Sequence, residues 1–366
     1  MKLTALLMAS AIALALPTAA SAKHDKPSDK TSHSKHSSKT STSSKSASKS
    51  NSKASKSSKS GKSSKSSAQA SAIAPSSKAT PRFVAKPLSS ADVLAAAKPS
   101  DWREVASESA ILMEFKAGEG QAPAQVLIEL APDFAPKHSA NIRQLARAGY
   151  FDGLAVIRVQ DNYVTQWGDP SEDDAKAKAK PADLPKPPAE FDRPLKGLAF
   201  NALMDTDLWA PQVGFVQGWP VAVDPKKGRA WLAHCNSMVG AARGNEADSS
   251  DGAGLYTVIG QAPRALDLNI TVVGRVLQGQ ELLSALPRGT GVLGFYEHPE
   301  QMKPIQRVRV LADVPEQERP HLQVLRTDTG TWEAWLHSRR NRSGWFIHNP
   351  GRVELCGVLP PTRTAP

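Results

Sequence analysis

A chain of 366 residues with a formal charge of +11 has room for more than one folded unit. The charge is concentrated: residues 23–90 hold fourteen lysines and one arginine against two aspartates, which leaves the chain from residue 91 onward mildly acidic. That split argues against an electrostatic grip on nucleic acid by the folded part. The spacing of the two cysteines, Cys235 and Cys356, matches no zinc pattern.

Residues 1–22, MKLTALLMASAIALALPTAASA, place Lys2 before an apolar run and small residues before Lys23. This is the layout of a secretory signal peptide, so the protein is expected to be exported, to the periplasm in a cell with two membranes. The Lys/Ser segment of 23–90 has too little apolar surface to offset the entropy of ordering, and is expected to be a disordered linker. A solvated spacer is the first reading of it, and contact with anionic envelope polymers or lipid headgroups the second. In an exported chain two cysteines suggest one disulfide, with two buried thiols as the alternative.

SADVLAAAK (90–98) reads as a short helix capped by Ser90. ILMEF (111–115) and QVLIEL (125–130) are strand-like, with Gly118 and Gly120 as turn material between them. In DFAPKHSANIRQLARAGYFDG (133–153), Asp133 is a candidate cap, Pro136 suits a first turn, and Ile142, Leu145 and Ala146 share a face. The spacing predicts a helix of about three turns, stopped at Gly149.

VIRVQDNYVTQWGDP (156–170) then reads as a hairpin, with Arg158 awkwardly placed among branched apolar residues. A cation on a sheet face is costly unless paired or wet, so Arg158 either points to solvent or has a role. Residues 171–194, charged and proline-rich, read as a long surface excursion, and 195–232 as a less regular stretch. Strand signals return at 237–242, 255–260, 270–276 and 305–314, with a helix-like stretch at 278–286. Many short strands and two clear helices predict a mainly β barrel rather than a βαβ sheet.

After Pro315 the composition changes, and residues 316–366 read as a C-terminal β extension packed on the barrel. Its strands are expected to join at Thr329-Gly330 and at 341–344. Arg339, Arg340 and Arg342 beside Trp345 read as a solvated hairpin tip, with a binding patch as the sharper alternative.

The run VLIELAPDFAPKHSANIRQLARAGYFDGLAVIRVQDNYVTQWGDP (126–170), followed by SMVGAARG (237–244), LYTVIG (255–260) and LDLNITVVGRVLQGQELL (266–283), resembles the cyclophilin family of peptidyl-prolyl cis-trans isomerases. The resemblance covers roughly 105–314, and against it 171–232 is an insert expanded well beyond the usual family loop. It implies a closed eight-stranded antiparallel β-barrel capped by two helices, within a domain of 91–315, and a cofactor-free, metal-free isomerase acting on proline-containing polypeptides. A monomer is expected.

The resemblance places the family's catalytic arginine on Arg158 and its pocket glutamine on Gln166. Substrate-binding positions fall on Tyr163, Val164, Ala242, Tyr256 and Leu266. The sequence departs from the family pattern at Ile157, Trp167, Gly254-Leu255, Ala265 and Ile270. Those departures keep open an alternative, a cyclophilin-fold binding or scaffold module of the cell envelope.

Overall fold

The computed structural model describes residues 88–116, 123–171, 173 and 175–365. The leader expected over 1–22, the Lys/Ser segment as far as residue 87 and the glycine turn at 118–120 lie outside the described residues.

A short helix α1 (Ser90–Ala95) and strand β1 (Trp102–Glu104) precede the paired strands β2 (Ala110–Phe115) and β3 (Ala124–Leu130). Helix α2 (Pro136–Arg147) leads into the hairpin β4 (Ala155–Gln160) and β5 (Val164–Gly168). The insert contributes β6 (Arg193–Pro194), β7 (Asn201–Leu203), β8 (Gln212–Val216), β9 (Trp219–Asp224) and β10 (Arg229–Leu232). Then come β11 (Met238–Ala241), β12 (Leu255–Val258), β13 (Val272–Gln278), helix α3 (Gln280–Ser284) and β14 (Lys303–Val310). Strand β15 (Leu322–Leu325), helix α4 (Gly330–Arg340) and β16 (Thr362–Thr364) complete the chain.

Eight strands close a barrel in the order β11-β12-β5-β4-β14-β2-β3-β13, with neighbours antiparallel. Alternation fills it: Ile111, Met113 and Phe115 of β2 meet Val126, Ile128 and Leu130 of β3 inside. Leu112 and Leu127, on the opposite face, pack under Leu311, Val314 and Leu322. This is why β2 is buried along its whole length. Helix α2 closes the barrel through Ile142, Leu145 and Ala146. Its N-cap is Ala135, not Asp133; the Glu190 carboxylate, from the insert, accepts the free N–H groups of Lys137 (3.0 Å) and His138 (2.9 Å) instead. The first helix is likewise capped by Ser89 rather than Ser90.

Two expectations need correction. The later part of the insert is not irregular: β6-β10-β9-β8-β7 form a five-stranded sheet. Gln217 and Gly218, both at positive φ, make the tight two-residue turn that sets β8 on β9, with Val216 opposite Trp219. The C-terminal extension is also not all β. Thr329 accepts the Trp332 N–H and starts α4, in which Trp332, Trp335 and Leu336 follow the helical i, i+3, i+4 spacing.

That face of α4 does not pack on the barrel interior. With Val93 of α1, it joins Phe215, Val221, Val223 and Trp231 of the insert sheet in a second apolar cluster. Strands β1-β15-β16 form a third, small sheet beside it. A disulfide joins Cys235, in the β10–β11 connector, to Cys356 and ties the extension to the insert.

Candidate active site

The awkward arginine is explained by a bulge. Strict alternation would put Arg158 on the same face as Val156, which is in the barrel core. Between Val156 and Arg158 the β4–β5 register shifts, so Val159 resumes the inward face and Arg158 points outward opposite Gln166. On β5 and β12 the alternation is regular. Trp167 and Leu255 face the core, so these two departures from the family pattern leave the outer face untouched. The pairs Arg158–Gln166, Gln166–Tyr256 and Tyr256–Gly240 then line up across β4, β5, β12 and β11. Gly240 is needed there: a Cβ would lie 2.2 Å from the Tyr256 ring.

Arg158 is 2% exposed. Its Nη1 donates to Gln166 Oε1 (3.2 Å), its Nε to the Leu293 carbonyl (2.7 Å) and its Nη2 to Gln160 Oε1. The guanidinium also lies 5.8 Å from the Tyr163 ring centroid and 5.2 Å from that of Phe295. Burial pulls its pKa below the ordinary arginine value, opposed by Tyr163 and Tyr256. A guanidinium carries five N–H donors, and three are engaged here.

Val164, Tyr256, Val258, Leu266 and Ile270 form a separate apolar cluster on this face, with Tyr163 packed against it. The structure therefore brings Arg158, Gln166, Tyr163, Val164, Tyr256 and Leu266 together. Ala242 is half-exposed just past β11, donating its N–H to Gly254 O (2.9 Å), and is outside that cluster. Ala265 is exposed at the rim, and Ile270 fills the wall.

The sequence reading missed two groups of residues. Leu293 and Phe295 cover Arg158 from the α3–β14 connector, where Leu293 is held at φ 57°. The signal was RGTGVLGF (288–295), a glycine-rich stretch too dense for an ordinary loop.

The other group is a chain of polar contacts behind the pocket. His234 Nε2 lies 3.0 Å from the Tyr256 hydroxyl and its Nδ1 3.0 Å from Asp267 Oδ1. Asp267 also accepts from Arg264 Nε (2.6 Å) and Trp231 Nε1 (3.2 Å), and Arg264 reaches Asp207 of the insert (3.0 Å). A carboxylate can only accept, so it fixes the proton on Nδ1 and leaves Nε2 to accept from Tyr256. Burial, with Tyr163 and Asp267 nearby, pushes the Tyr256 hydroxyl well above its ordinary value and keeps it protonated. Burial would raise Asp267 too, but the hydrogen bonds from His234 and the charge of Arg264 outweigh it, and its pKa is lowered. His234 and Cys235, adjacent in sequence, thus serve a pocket wall and a disulfide respectively.

Comparison with known proteins fits this geometry. The family model described as cyclophilin type peptidyl-prolyl cis-trans isomerase/CLD matches residues 112–311, more than half of the chain. This chain belongs to that family. A probable peptidyl-prolyl cis-trans isomerase of Brucella suis biovar 1 (strain 1330) is 31% identical over 125 residues, covering 32% of this chain and 57% of the relative. The match thus spans little more than half of that relative's length. A peptidyl-prolyl cis-trans isomerase of Schizosaccharomyces pombe is 45% identical over 47 residues, 13% of this chain and 30% of that protein. The crystal structure of a cyclophilin from Hirschia baltica matches with a TM-score of 0.58 at 25% identity. It covers 75% of this chain and 96% of its own, a share of this chain larger than the family span.

Proposed function

We propose that this protein catalyses cis-trans isomerisation of X–Pro bonds in exported polypeptides, using Arg158 and no cofactor. The observation that carries the reading is the outward row of Arg158, Gln166 and Tyr256 beside an apolar wall. Rotation about an X–Pro amide crosses a barrier of about 18–20 kcal/mol because C–N resonance is lost at the top. A guanidinium donating to the prolyl nitrogen as it pyramidalises favours the twisted state over either planar one. Gln166 holds the guanidinium in plane, and Tyr163, Val164 and Leu266 receive the proline ring and keep water out. The leader-like residues 1–22 support an exported, periplasmic setting. The test is turnover of an Ala-Pro peptide by the full chain and by Arg158→Ala. The reading requires catalysis that the substitution removes; equal rates would refute it.

A second reading is favoured by one observation. Every nitrogen of Arg158 already has an acceptor within the protein, and Leu293 and Phe295 cover it. On that reading the site binds proline-containing segments with little turnover. Saturable peptide binding without rate enhancement by the unmodified chain would select it.

A further inference from the structure

The row of outward residues across β4, β5, β12 and β11 has a guanidinium at each end. At the β4 end, Arg158 donates to the side-chain amides of Gln166 and Gln160 and to the Leu293 carbonyl, all of them neutral. At the other end, Arg243 follows Ala242 just past β11 and reaches across to the β12–β13 connector. Its Nε donates to the Asn269 carbonyl (2.8 Å), and its Nη1 to the carbonyls of Gly244 (2.8 Å) and Asn245 (3.1 Å). The insert adds the Phe191 ring, whose centroid lies 5.9 Å from the guanidinium carbon. Three carbonyls and a ring fix the position of Arg243 and bring no negative charge to it.

These contacts tie Arg243 to the pocket wall. Asn269 directly precedes Ile270 of the apolar cluster, and its Nδ2 donates to the carbonyl of Ala265 on the rim (3.2 Å). The charge of Arg243 also acts within the pocket: together with Arg158 it opposes the rise in pKa of the Tyr256 hydroxyl. Arg243 is half-buried, and its Nη2 has no acceptor among the described residues but is not sealed from solvent. Nearby acids do not neutralise it. Asp248 pairs with Lys186 (2.9 Å) and Asp251 with Lys180 (2.6 Å), while Glu246 forms no ion pair with it. By contrast, Arg264, Arg275, Arg309 and Arg340, all buried or half-buried, each pair with a carboxylate. In a folded part that is acidic overall, the candidate site is a local reversal of sign.

We propose that Arg243 makes this site selective for X–Pro segments with an aspartate or glutamate near the proline, whose carboxylate takes the open Nη2. The inference rests on the proposal that the site receives proline-containing segments. A carboxylate there gains a charge-assisted hydrogen bond, and a lysine or arginine in its place meets like charge from both ends of the row. Arg243 adjoins Ala242 and the rim at Ala265, so an acid within about two residues of the proline is within reach. Because the rim is partly wet, the preference is modest and falls with salt.

The experiment presents the full chain with two series of capped peptides, Xaa-Ala-Pro-Ala and Ala-Pro-Ala-Xaa, in which Xaa is Glu, Gln or Lys. Cis-trans exchange gives kcat/KM for each, and titration gives the dissociation constant. We expect the Glu peptide to exceed the Gln peptide by roughly fivefold in at least one series, with Lys lowest. The difference should vanish in about 1 M salt, where charges are screened within about 3 Å. Arg243→Gln should bring the Glu and Gln peptides level, and Arg243→Glu should favour Lys. Each comparison is a ratio within one protein, so a loss of folded material cancels. Equal handling of Glu, Gln and Lys in both series would overturn the proposal, as would a preference for Glu that survives Arg243→Gln. Binding without turnover of any peptide would count against the isomerase reading alone, and the same ratios are then read from the dissociation constants. No binding of any peptide would overturn both.

Discussion

The barrel and the layer built against it are held together by different means. The barrel interior is one apolar cluster drawn from strands and helices spread over 111–310, and it carries the candidate site on its outer face. The added layer takes β6–β10 from the insert, α1 from before the barrel and α4 from after it, and joins them with a second apolar cluster and a disulfide. The two meet through buried charge. Glu129 of β3 accepts from Arg275 of β13 (3.0 and 3.1 Å) and from Arg103 of β1 (2.6 and 3.0 Å). Arg275 and Arg103 in turn donate to Gly218 O and Gln217 O at the insert's hairpin turn. The barrel's strands fit one another chiefly through alternating apolar side chains, whereas the layer's attachment to them includes a few specific polar contacts and is the part single substitutions should loosen.

The largest expected effect follows at Glu129. Glu129→Ala leaves Arg275 buried without its counter-charge and should cost about 3–5 kcal/mol in denaturant unfolding. A cost no greater than that of an exposed pair would break the distinction between the two regions. Next is the bridge: Cys356→Ser should cost about 2–4 kcal/mol, because Cys235–Cys356 closes a long loop of the unfolded chain. The loss should appear first as proteolysis within 320–365, with the barrel protected.

At the contact nearest the site, His234→Phe strands the buried Tyr256 hydroxyl and should cost about 1–3 kcal/mol. Its distinguishing readout is a raised KM for a proline peptide with kcat little changed, since His234 positions the wall and does not touch the bond.

The smallest effect is on pH dependence. Burial raises the Glu129 carboxyl, but Arg275 and Arg103 more than offset it, so its folded pKa lies below the ordinary value, as does that of Asp267. Depressed carboxylates stabilise the fold above their unfolded pKa and lose that contribution as pH falls through it. Stability should therefore hold above about pH 5 and decline below it. Glu129→Gln should flatten that decline.

The same contrast explains what could be read from the sequence. The barrel strands and α2 were legible because alternation and helical spacing are local signals, whereas Arg158 and Gln166 were singled out by the family resemblance and by no period in the sequence. The outward aim of Arg158 was not, because it depends on a bulge that only pairing with β5 defines. In the insert, Pro220 within β9 weakened the strand signal, although Gln217-Gly218 marked the hairpin. In the extension, residues 316–366 as a whole read as β material, and the helical spacing of Trp332, Trp335 and Leu336 was passed over. His234 and Asp267 lie 33 positions apart, and no sequence period predicts their contact.

The most direct test of the site is nuclear magnetic resonance exchange spectroscopy of an Ala-Pro peptide in a single series: the full chain, Arg158→Ala and Phe295→Ala. The account predicts cis-trans exchange accelerated by the full chain and slowed on the order of 10²-fold by Arg158→Ala. Phe295→Ala, which uncovers the guanidinium, should exchange at least as fast as the unmodified chain. Exchange indifferent to Arg158, or abolished by opening the cover at Phe295 while Arg158 remains, would contradict it.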